Sequence, residues 1–192
     1  ERDGDLFWQM LIDIYIKMKN TVKKATKIKK VILVRHSHAE AQAPEFTDFE
    51  RSLTTKGKRN SRLMADVLKS KLKDPGVMIT SPAFRAYETA LIFSEVYGLD
   101  SDKVRLCRDL YSGIKQDDII SFFRSQNDDN DTVMLFGHNS LISDMARTLS
   151  SDGAEVLPKT GIVSLSFKAD KWDAIDQGTG TTDFILKPKS IL

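Results

Sequence analysis

Short apolar runs alternate with amphipathic helical segments from Val31 onward, and this alternation limits the possible folds more than any other feature. The runs are rich in β-branched residues and predict buried strands. Strands separated by helices favour a mostly parallel sheet with helices on both faces, which is a three-layer α/β/α sandwich. The predicted strands are Val31–Val34, Val77–Thr80, Val104–Leu106, Thr132–Phe136, Ile162–Phe167 and Phe184–Leu186, and the predicted helices cover residues 54–73, 82–98, 117–125 and 139–149.

The first thirty residues follow a different pattern. They predict a basic amphipathic helical extension, residues 1–30, ahead of a domain at residues 31–192, and they carry a net charge of +4 while the rest carries −2. We expect this helix to pack on the domain or on a second copy of it, giving a homo-oligomer, or else to lie on a membrane surface or be a targeting remnant. Its apolar stripe, at spacings of three and four, consists of Phe7, Leu11, Ile14, Met18, Val22, Ala25 and Ile28.

Composition and charge argue against several functional classes. The domain has no basic excess of the kind that nucleic-acid binding requires, and Cys107 is the only cysteine, so neither a disulfide nor a cysteine metal cluster is expected. No apolar run reaches the roughly 18 residues of a membrane span. The lysines follow the apolar stretch Leu6–Met18, which is the wrong order for a secretory signal. The sequence therefore predicts a soluble intracellular protein, with no metal and no cofactor; a dinucleotide is disfavoured because no Gly-x-Gly-x-x-Gly follows the first strand.

Histidines and arginines follow three of the predicted strands at the points where the strands end. The first strand leads into Arg35-His36-Ser37-His38, the second into Ser81–Arg85, and the fourth into Gly137-His138-Asn139. Sites in open α/β sheets gather beyond the carboxyl ends of the strands, so these side chains are expected to converge.

This combination of residue types suits phosphoryl transfer. A neutral imidazole nitrogen can attack phosphorus and hold the phosphoryl group covalently, and planar guanidinium groups match the phosphoryl oxygens. A second histidine, if protonated, would add a donor and a positive charge without a metal. The attacking ring needs its other nitrogen held by an acceptor, and a backbone carbonyl in the following loop could supply it.

The same segments resemble the motifs of the histidine phosphatase superfamily, in family order and over roughly residues 31–189. Leu33-Val34-Arg35-His36 is similar to the opening Arg-His signature, Arg51–Gly57 to the Leu-Thr-x-x-Gly segment with its preceding arginine, Thr80–Ala90 to the second arginine motif, and Gly137–Asn139 to the late histidine motif. Leu157–Gly161 and Lys187–Lys189 resemble the short SixA-like members.

The resemblance implies a phosphoglycerate mutase-like fold and a phosphatase that forms a phosphohistidine. His36 would be the nucleophile, and Arg35, Arg85 and His138 would surround the phosphoryl group. The chain departs from the family at two points: Ser37 stands where the mutase-like branches usually have glycine, and no Asp follows His138, whereas the acid-phosphatase-like branch places its proton donor there.

Other residues beside these motifs are candidates for binding substrate or donating a proton. The candidate substrate-binding residues are Arg51, Ser37, His38 and Asn139. Arg51 could equally be a solvated loop charge, and for His38 a loop position near the site is favoured over a catalytic role. Mutase-like relatives place a glutamate near the position of Asp109, which makes Asp109 a candidate proton donor. A phosphohistidine substrate would need such a donor less, because its leaving nitrogen is readily protonated.

The length of the domain bears on the substrate. About 160 residues leave little chain for a lid, so we expect an open, shallow pocket that admits phosphohistidine or another protein-bound phosphate. A small-molecule phosphomonoesterase is the alternative, and a mutase-like enzyme is less favoured because mutases need a closed site that excludes water. An alternative of another class is a non-catalytic phosphate-binding or scaffold module, which the presence of both histidines and both central arginines disfavours.

Overall fold

The computed structural model describes residues 8–14, 27–44, 47–153 and 155–191. Its elements follow the predicted alternation closely. The strands are β1 (Ile28–Arg35), β2 (Val77–Thr80), β3 (Val104–Leu106), β4 (Thr132–Gly137), β5 (Ile162–Lys168) and β6 (Thr181–Leu186). The helices are α1 (residues 8–14), α2 (Thr55–Lys71), α3 (Phe84–Tyr97), α4 (Asp109–Ser112), α5 (Ile119–Arg124) and α6 (Leu141–Leu149).

The six strands form one sheet in the order β3-β2-β4-β1-β5-β6. The pairs β2–β3, β2–β4 and β1–β4 are parallel, whereas β5 is antiparallel to both of its neighbours, β1 and β6. Five strands therefore run in one direction and only β5 is reversed, so the predicted mostly parallel sheet is confirmed.

Alternating side chains of the buried strands serve the two faces of the sheet. Along β1, Ile32 and Val34 pack in a core with α2 and α3, while Val31 and Leu33 pack on the opposite face in a core with α4, α5 and α6. Helices thus cover both faces, and the predicted three-layer α/β/α arrangement is confirmed. Burial on both faces explains why the strands are continuous apolar runs.

Two helix ends carry the residue types that favour them. Thr54 caps α2, because its side-chain oxygen accepts the backbone N–H of Gly57 at 3.0 Å. Gly98 ends α3 in the left-handed conformation, with φ of 74°. These ends fix where the loops that carry the site residues leave the helices.

The first strand begins earlier than predicted. The strand β1 begins at Ile28, three residues earlier than predicted, so residues 28–30 belong to the sheet and not to a helix. Lys29, predicted as part of a solvated basic arm, is fully buried: its ammonium group donates to the carbonyls of Asp128 and Asn130 and pairs with the carboxylate of Asp131 at 2.8 Å. Lys29 is buried in the domain because the loop before β4 supplies oxygen atoms that bind its ammonium group.

Residues 8–14 of the extension are helical, and the side chains in this segment are exposed. The predicted stripe positions Leu11 and Ile14 lie in this helix, whereas Phe7, Met18, Val22 and Ala25 lie outside the described residues. No helix in the described part of the chain is long and apolar enough to cross a membrane.

Candidate active site

The sheet register brings the three predicted strand ends together. Arg35 of β1 pairs with Gly137 of β4, and Thr80 of β2 pairs with Phe136 of the same strand. The residues that follow these strands therefore emerge side by side at one edge, as expected for parallel neighbours. The rings of His36 and His138 have centroids 5.0 Å apart.

The His36 side chain is held in one tautomer by the backbone. It is 8% exposed, and its Nδ1 lies 2.7 Å from the carbonyl oxygen of Ser37. A carbonyl only accepts hydrogen bonds, so Nδ1 carries the proton and Nε2 keeps a free lone pair. The sequence analysis predicted that a backbone carbonyl in this loop could orient the ring, and the structure identifies it as the carbonyl of Ser37.

The surroundings of His36 also keep its ring neutral. Burial lowers the pKa of His36 to about 3, and the positive charges of Arg85 and Arg35 and the neighbouring His138 act in the same direction, while the hydrogen bond to Ser37 opposes them. At neutral pH the ring of His36 is therefore a neutral imidazole, with a proton on Nδ1 only, and this is the form that can act as a nucleophile.

His138 faces His36 with one nitrogen bonded and one free. Its Nε2 lies 2.8 Å from the hydroxyl of Ser81, whose oxygen also accepts the backbone N–H of Ala83. The hydroxyl hydrogen has no other acceptor among the described residues, so we infer that it is donated to Nε2 and that Nδ1 of His138 is protonated. That Nδ1 is buried without a hydrogen-bond partner, so it is available to a ligand oxygen. Burial, followed by the charge of Arg85, lowers the pKa of His138 to about 4.

Arg35 and Arg85 bring two guanidinium groups to this edge. Arg35 donates from Nη1 to the carbonyl of Leu157 at 2.8 Å, and its Nε is buried without a partner. Arg85 is 7% exposed and lies in the first turn of α3. A cation there opposes the helix dipole, so its position needs a compensating anion.

Asp48, which the sequence reasoning did not single out, supplies that anion. Its carboxylate accepts from Nη2 of Arg85 at 2.8 Å and from Nη1 of Arg51 at 2.7 Å. Burial alone would raise the pKa of Asp48, but the hydrogen bonds from Arg85 and Arg51 outweigh it and lower the pKa. Arg51 is thus connected to the site through Asp48, and its Nε donates to the carbonyl of Glu40. The available signal was an acid three residues before Arg51 in a loop close to the arginine motifs.

A chain of aromatic rings lies beside the histidine pair. Phe49, next to Asp48, stacks edge-on with Tyr111, whose ring in turn meets His138 edge-on at 5.7 Å. Phe49 also contacts Phe84. Tyr111 and Phe49 therefore flank the His138 side of the site.

Ser37 and Asn139 were predicted to bind substrate, and the structure instead shows their side chains engaged within the protein. Ser37 is fully buried; its hydroxyl accepts from Thr160 and donates to the carbonyl of Gly57. The Asn139 amide donates to the carbonyl of Leu157 and accepts from Ser143. Both residues thus brace the loops that carry the histidines.

The Leu-Thr-x-x-Gly segment holds α2 against the loop after His36. The backbone N–H of Thr54 donates to the carbonyl of His38, and a Cβ on Gly57 would lie only 2.1 Å from that same carbonyl oxygen. Only glycine permits this approach. Glu88 of α3 completes the junction by accepting the backbone N–H of Leu53 at 2.7 Å.

The two remaining candidates form no hydrogen bond or ion pair with the histidine pair within the described residues. His38 is half-buried and lines a separate cavity beside the site. Asp109 is exposed at the start of α4 and lines another cavity with residues of α5. No contact in the described structure joins Asp109 to His36, His138, Arg35 or Arg85, so its role as proton donor stays a prediction.

Comparison with known families supports the family predicted from the motifs over part of the chain. Residues 31–114 match the model of the histidine phosphatase superfamily (branch 1). This segment includes Arg35, His36, Arg51, Gly57 and Arg85, so this part of the chain carries the sequence pattern of that superfamily.

Solved structures confirm the predicted fold. The protein histidine phosphatase SixA in complex with tungstate is 23% identical, with a TM-score of 0.70 over 85% of this chain and 99% of that one. SixA from Agrobacterium tumefaciens is 21% identical, with a TM-score of 0.68 over 83% of this chain and 98% of that one. A mycobacterial glucosyl-3-phosphoglycerate phosphatase is 15% identical, with a TM-score of 0.55 over 82% of this chain and 98% of that one. No curated protein sequence gives a significant match. The superfamily match over residues 31–114 supports a phosphatase function.

Proposed function

We propose that this chain is a phosphatase that works through a phosphohistidine on His36 and acts on phosphohistidine or another protein-bound phosphate. The observation that carries the proposal is the hydrogen bond from Nδ1 of His36 to the carbonyl of Ser37. It leaves Nε2 as a free nucleophile in a ring that burial keeps neutral, next to two arginines and a second histidine.

In the first step Nε2 of His36 attacks phosphorus and forms a P–N bond. The bond from phosphorus to the leaving oxygen or nitrogen breaks, and the leaving group takes its electron pair and a proton. The His36 ring keeps its Nδ1 proton and becomes positively charged, and the Ser37 carbonyl stabilises that charge. In the second step water attacks phosphorus from the side that the leaving group has vacated and loses a proton to the solvent. The P–N bond breaks, and its electron pair returns to Nε2 of His36.

Charge that builds on the phosphoryl oxygens is stabilised by groups already in place. Nε of Arg35 and Nδ1 of His138 are both buried and unpartnered, so each can donate to a phosphoryl oxygen without breaking another bond. Arg85 can do so once the carboxylate of Asp48 moves aside. Prearranged donors of this kind lower the barrier because they need no reorganisation during the reaction. The proposed steps use these protein groups alone and require no metal.

A substrate with a good leaving group fits the available acids best. Among the described residues, no carboxyl group contacts His36 or His138, and Asp48 is held as an anion by two arginines. Phosphohistidine releases a nitrogen that is protonated readily, so it makes the smallest demand on a general acid. This favours phosphohistidine over alkyl phosphate esters.

A small-molecule phosphatase is the second candidate. The likeness to a mycobacterial glucosyl-3-phosphoglycerate phosphatase favours it, since that protein has the same fold. Phe49 and Tyr111, which flank the His138 side of the site, would also suit a compact substrate.

The test compares the wild type, His36→Ala and the control Asp144→Asn on a phosphohistidine-bearing protein and on p-nitrophenyl phosphate; Asp144 pairs with Arg147 on the surface. We expect phosphate release by the wild type and by Asp144→Asn, faster release from phosphohistidine, and no release by His36→Ala. Denaturation at alkaline pH during turnover should trap phosphate, held in an acid-labile linkage, on the wild type and Asp144→Asn and not on His36→Ala. Undiminished release by His36→Ala would refute the proposed nucleophile, and efficient hydrolysis of alkyl esters with none of phosphohistidine would favour the small-molecule candidate.

A further inference from the structure

A second cavity, with a volume of about 650 Å³, opens beside the active site and is not used by the proposed chemistry. We call it the basic cavity, because positively charged side chains from three separate segments line it. These are Lys56 and Arg59 of α2, Lys159 of the loop before β5, and Lys189 after β6; His38 and Asn60 also line it. Its volume lies in the range of typical ligand sites.

The four cations of the basic cavity are not neutralised by the protein. None of them forms an ion pair or a side-chain hydrogen bond within the described part of the chain. Their charge is felt locally: burial first, and then Lys159 and Lys56, lower the pKa of His38. Unpaired charges of one sign around a concave surface attract a ligand of the opposite sign.

Asn60 gives a second and independent indication of a ligand. It is 4% exposed, lines the basic cavity, and its side-chain oxygen Oδ1 is buried without a hydrogen-bond partner. A buried acceptor without a donor is costly. An ionised carboxylate cannot donate to this oxygen, whereas a peptide backbone has an N–H at almost every residue.

The basic cavity adjoins the active site through the backbone. His38 follows the nucleophile by two residues, and Lys159 precedes Thr160, whose N–H donates to the carbonyls of Arg35 and His36. Pro158, also in the lining, follows Leu157, whose carbonyl accepts from Arg35. A chain that places a phosphoryl group on His36 would therefore have neighbouring residues within reach of the cavity.

From these observations we propose that the basic cavity binds an acidic peptide segment of the phosphoprotein substrate. Glutamate or aspartate side chains would pair with the cations, a backbone N–H would reach Asn60, and Pro158 and Pro188 would provide apolar contact. This inference rests on the proposed protein phosphatase function and specifies its substrates as those with acidic residues beside the phosphorylated one. The charged contacts would chiefly speed association and select partners.

The binding experiment uses an unphosphorylated, rhodamine-labelled Glu-rich peptide and the same peptide with Gln at every Glu, so that it does not depend on hydrolysis. Fluorescence anisotropy should show binding of the Glu peptide to the wild type and to His36→Ala, with weaker binding as salt rises. Lys56→Glu/Arg59→Glu should raise the Kd by at least about tenfold. The matched control, Lys58→Glu/Lys73→Glu, makes the same change in net charge at exposed lysines outside the cavity and should change the Kd little.

The two proposals can fail separately in this design. Lys56→Glu/Arg59→Glu should keep kcat on p-nitrophenyl phosphate while raising KM for an acidic phosphohistidine protein. Equal binding of the Glu and Gln peptides, or equal weakening by both double variants, would overturn the basic cavity as a peptide site, whatever the activity. Loss of affinity for a sugar bisphosphate but not for the Glu peptide would overturn it too, because the cavity would then serve a second phosphate. Loss of hydrolysis with intact peptide binding would instead count against the phosphatase function alone.

Discussion

The carboxylate of Asp48 lies 2.8 Å from Nη2 of Arg85, although 37 positions separate the two residues in the chain. Asp48 also bonds Arg51, so one carboxylate neutralises two arginines at the edge of the proposed phosphoryl site. A phosphoryl group that uses Arg85 must compete with this carboxylate, since both are anions that fit the planar guanidinium. Asp48 is thus expected to limit anion affinity.

Replacing Asp48 with Asn should strengthen phosphate binding. The change keeps the size of the side chain but removes the charge that competes for Arg85, so we expect the Kd of inorganic phosphate to fall by roughly three- to tenfold. Isothermal titration calorimetry measures this directly. Asp144→Asn is the control, because Asp144 pairs with Arg147 elsewhere on the surface and its loss should leave the Kd unchanged. Weaker phosphate binding by Asp48→Asn would mean instead that Asp48 serves chiefly to orient Arg85.

The histidine pair should remain neutral over the physiological pH range. The pKa values of His36 and His138 are lowered to about 3 and about 4, chiefly by burial. In NMR spectra, the ring Cε1–H resonances of both should show no titration between about pH 5 and 8. In urea-unfolded protein the same resonances should titrate near the ordinary value of 6.5. Titration of either residue near 6.5 in the folded protein would show that burial does not control its charge.

The same pKa shifts make the stability of the protein depend on pH. Both pKa values are lower in the folded state, so the unfolded state takes up protons first as the pH falls below 6.5. The contribution of the two histidines to the free energy of unfolding should therefore be fully present above about pH 6.5. It should decrease as the pH falls below 6.5 toward the folded-state pKa values of about 4 and about 3. His36→Gln should make this decrease shallower in urea titrations. An unchanged slope would contradict the contribution of His36.

The parts of the site that the sequence could predict are those built from regular elements. Parallel strands end at the same edge, so the meeting of His36 with His138 follows from strand order and register. Asp48 was missed because it lies in a loop without periodicity, and its partner Arg85 is distant in the chain. Only the tertiary path of that loop decides which arginine the carboxylate reaches.

The direction in which loop side chains point was the other feature that could not be predicted from the sequence. Ser37 sits between two histidines, yet its hydroxyl points into a buried network with Thr160 and Gly57. A serine at this position is equally compatible with substrate contact and with a buried structural role. Which residues after a strand face the ligand depends on the exact dihedral angles of the loop, and hydrophobic patterning carries no information about those angles.

Gly57→Ala should damage both stability and activity. A Cβ at this position would meet the carbonyl oxygen of His38 at 2.1 Å, so α2 or the loop after His36 must shift. We expect a loss of about 1–3 kcal/mol in the free energy of unfolding and a clear fall in kcat on p-nitrophenyl phosphate. Gly98→Ala is the control: its φ is 74° with nothing within 4 Å of a Cβ, so it should cost about 1 kcal/mol through backbone strain with kcat unchanged. Normal kcat in Gly57→Ala would show that the loop absorbs the shift.

Lys29→Met should lower the free energy of unfolding by about 2–4 kcal/mol, because the fully buried ammonium group of Lys29 binds the carbonyl of Asp128 and the carboxylate of Asp131, and both lose this donor. The carbonyl of Asn130 loses Lys29 as well but keeps the indole N–H of Trp172. Methionine matches the length and flexibility of lysine, so the effect isolates the loss of the ammonium group. The neighbouring Lys30→Met is the matched control: Lys30 is partly exposed and lies 3.6 Å from Asp183, an arrangement worth about 0–1 kcal/mol. Urea unfolding followed by circular dichroism gives both values. Equal losses in the two variants would show that Lys29 is a solvated residue of the basic arm, as its sequence first suggested, and that the domain begins after it.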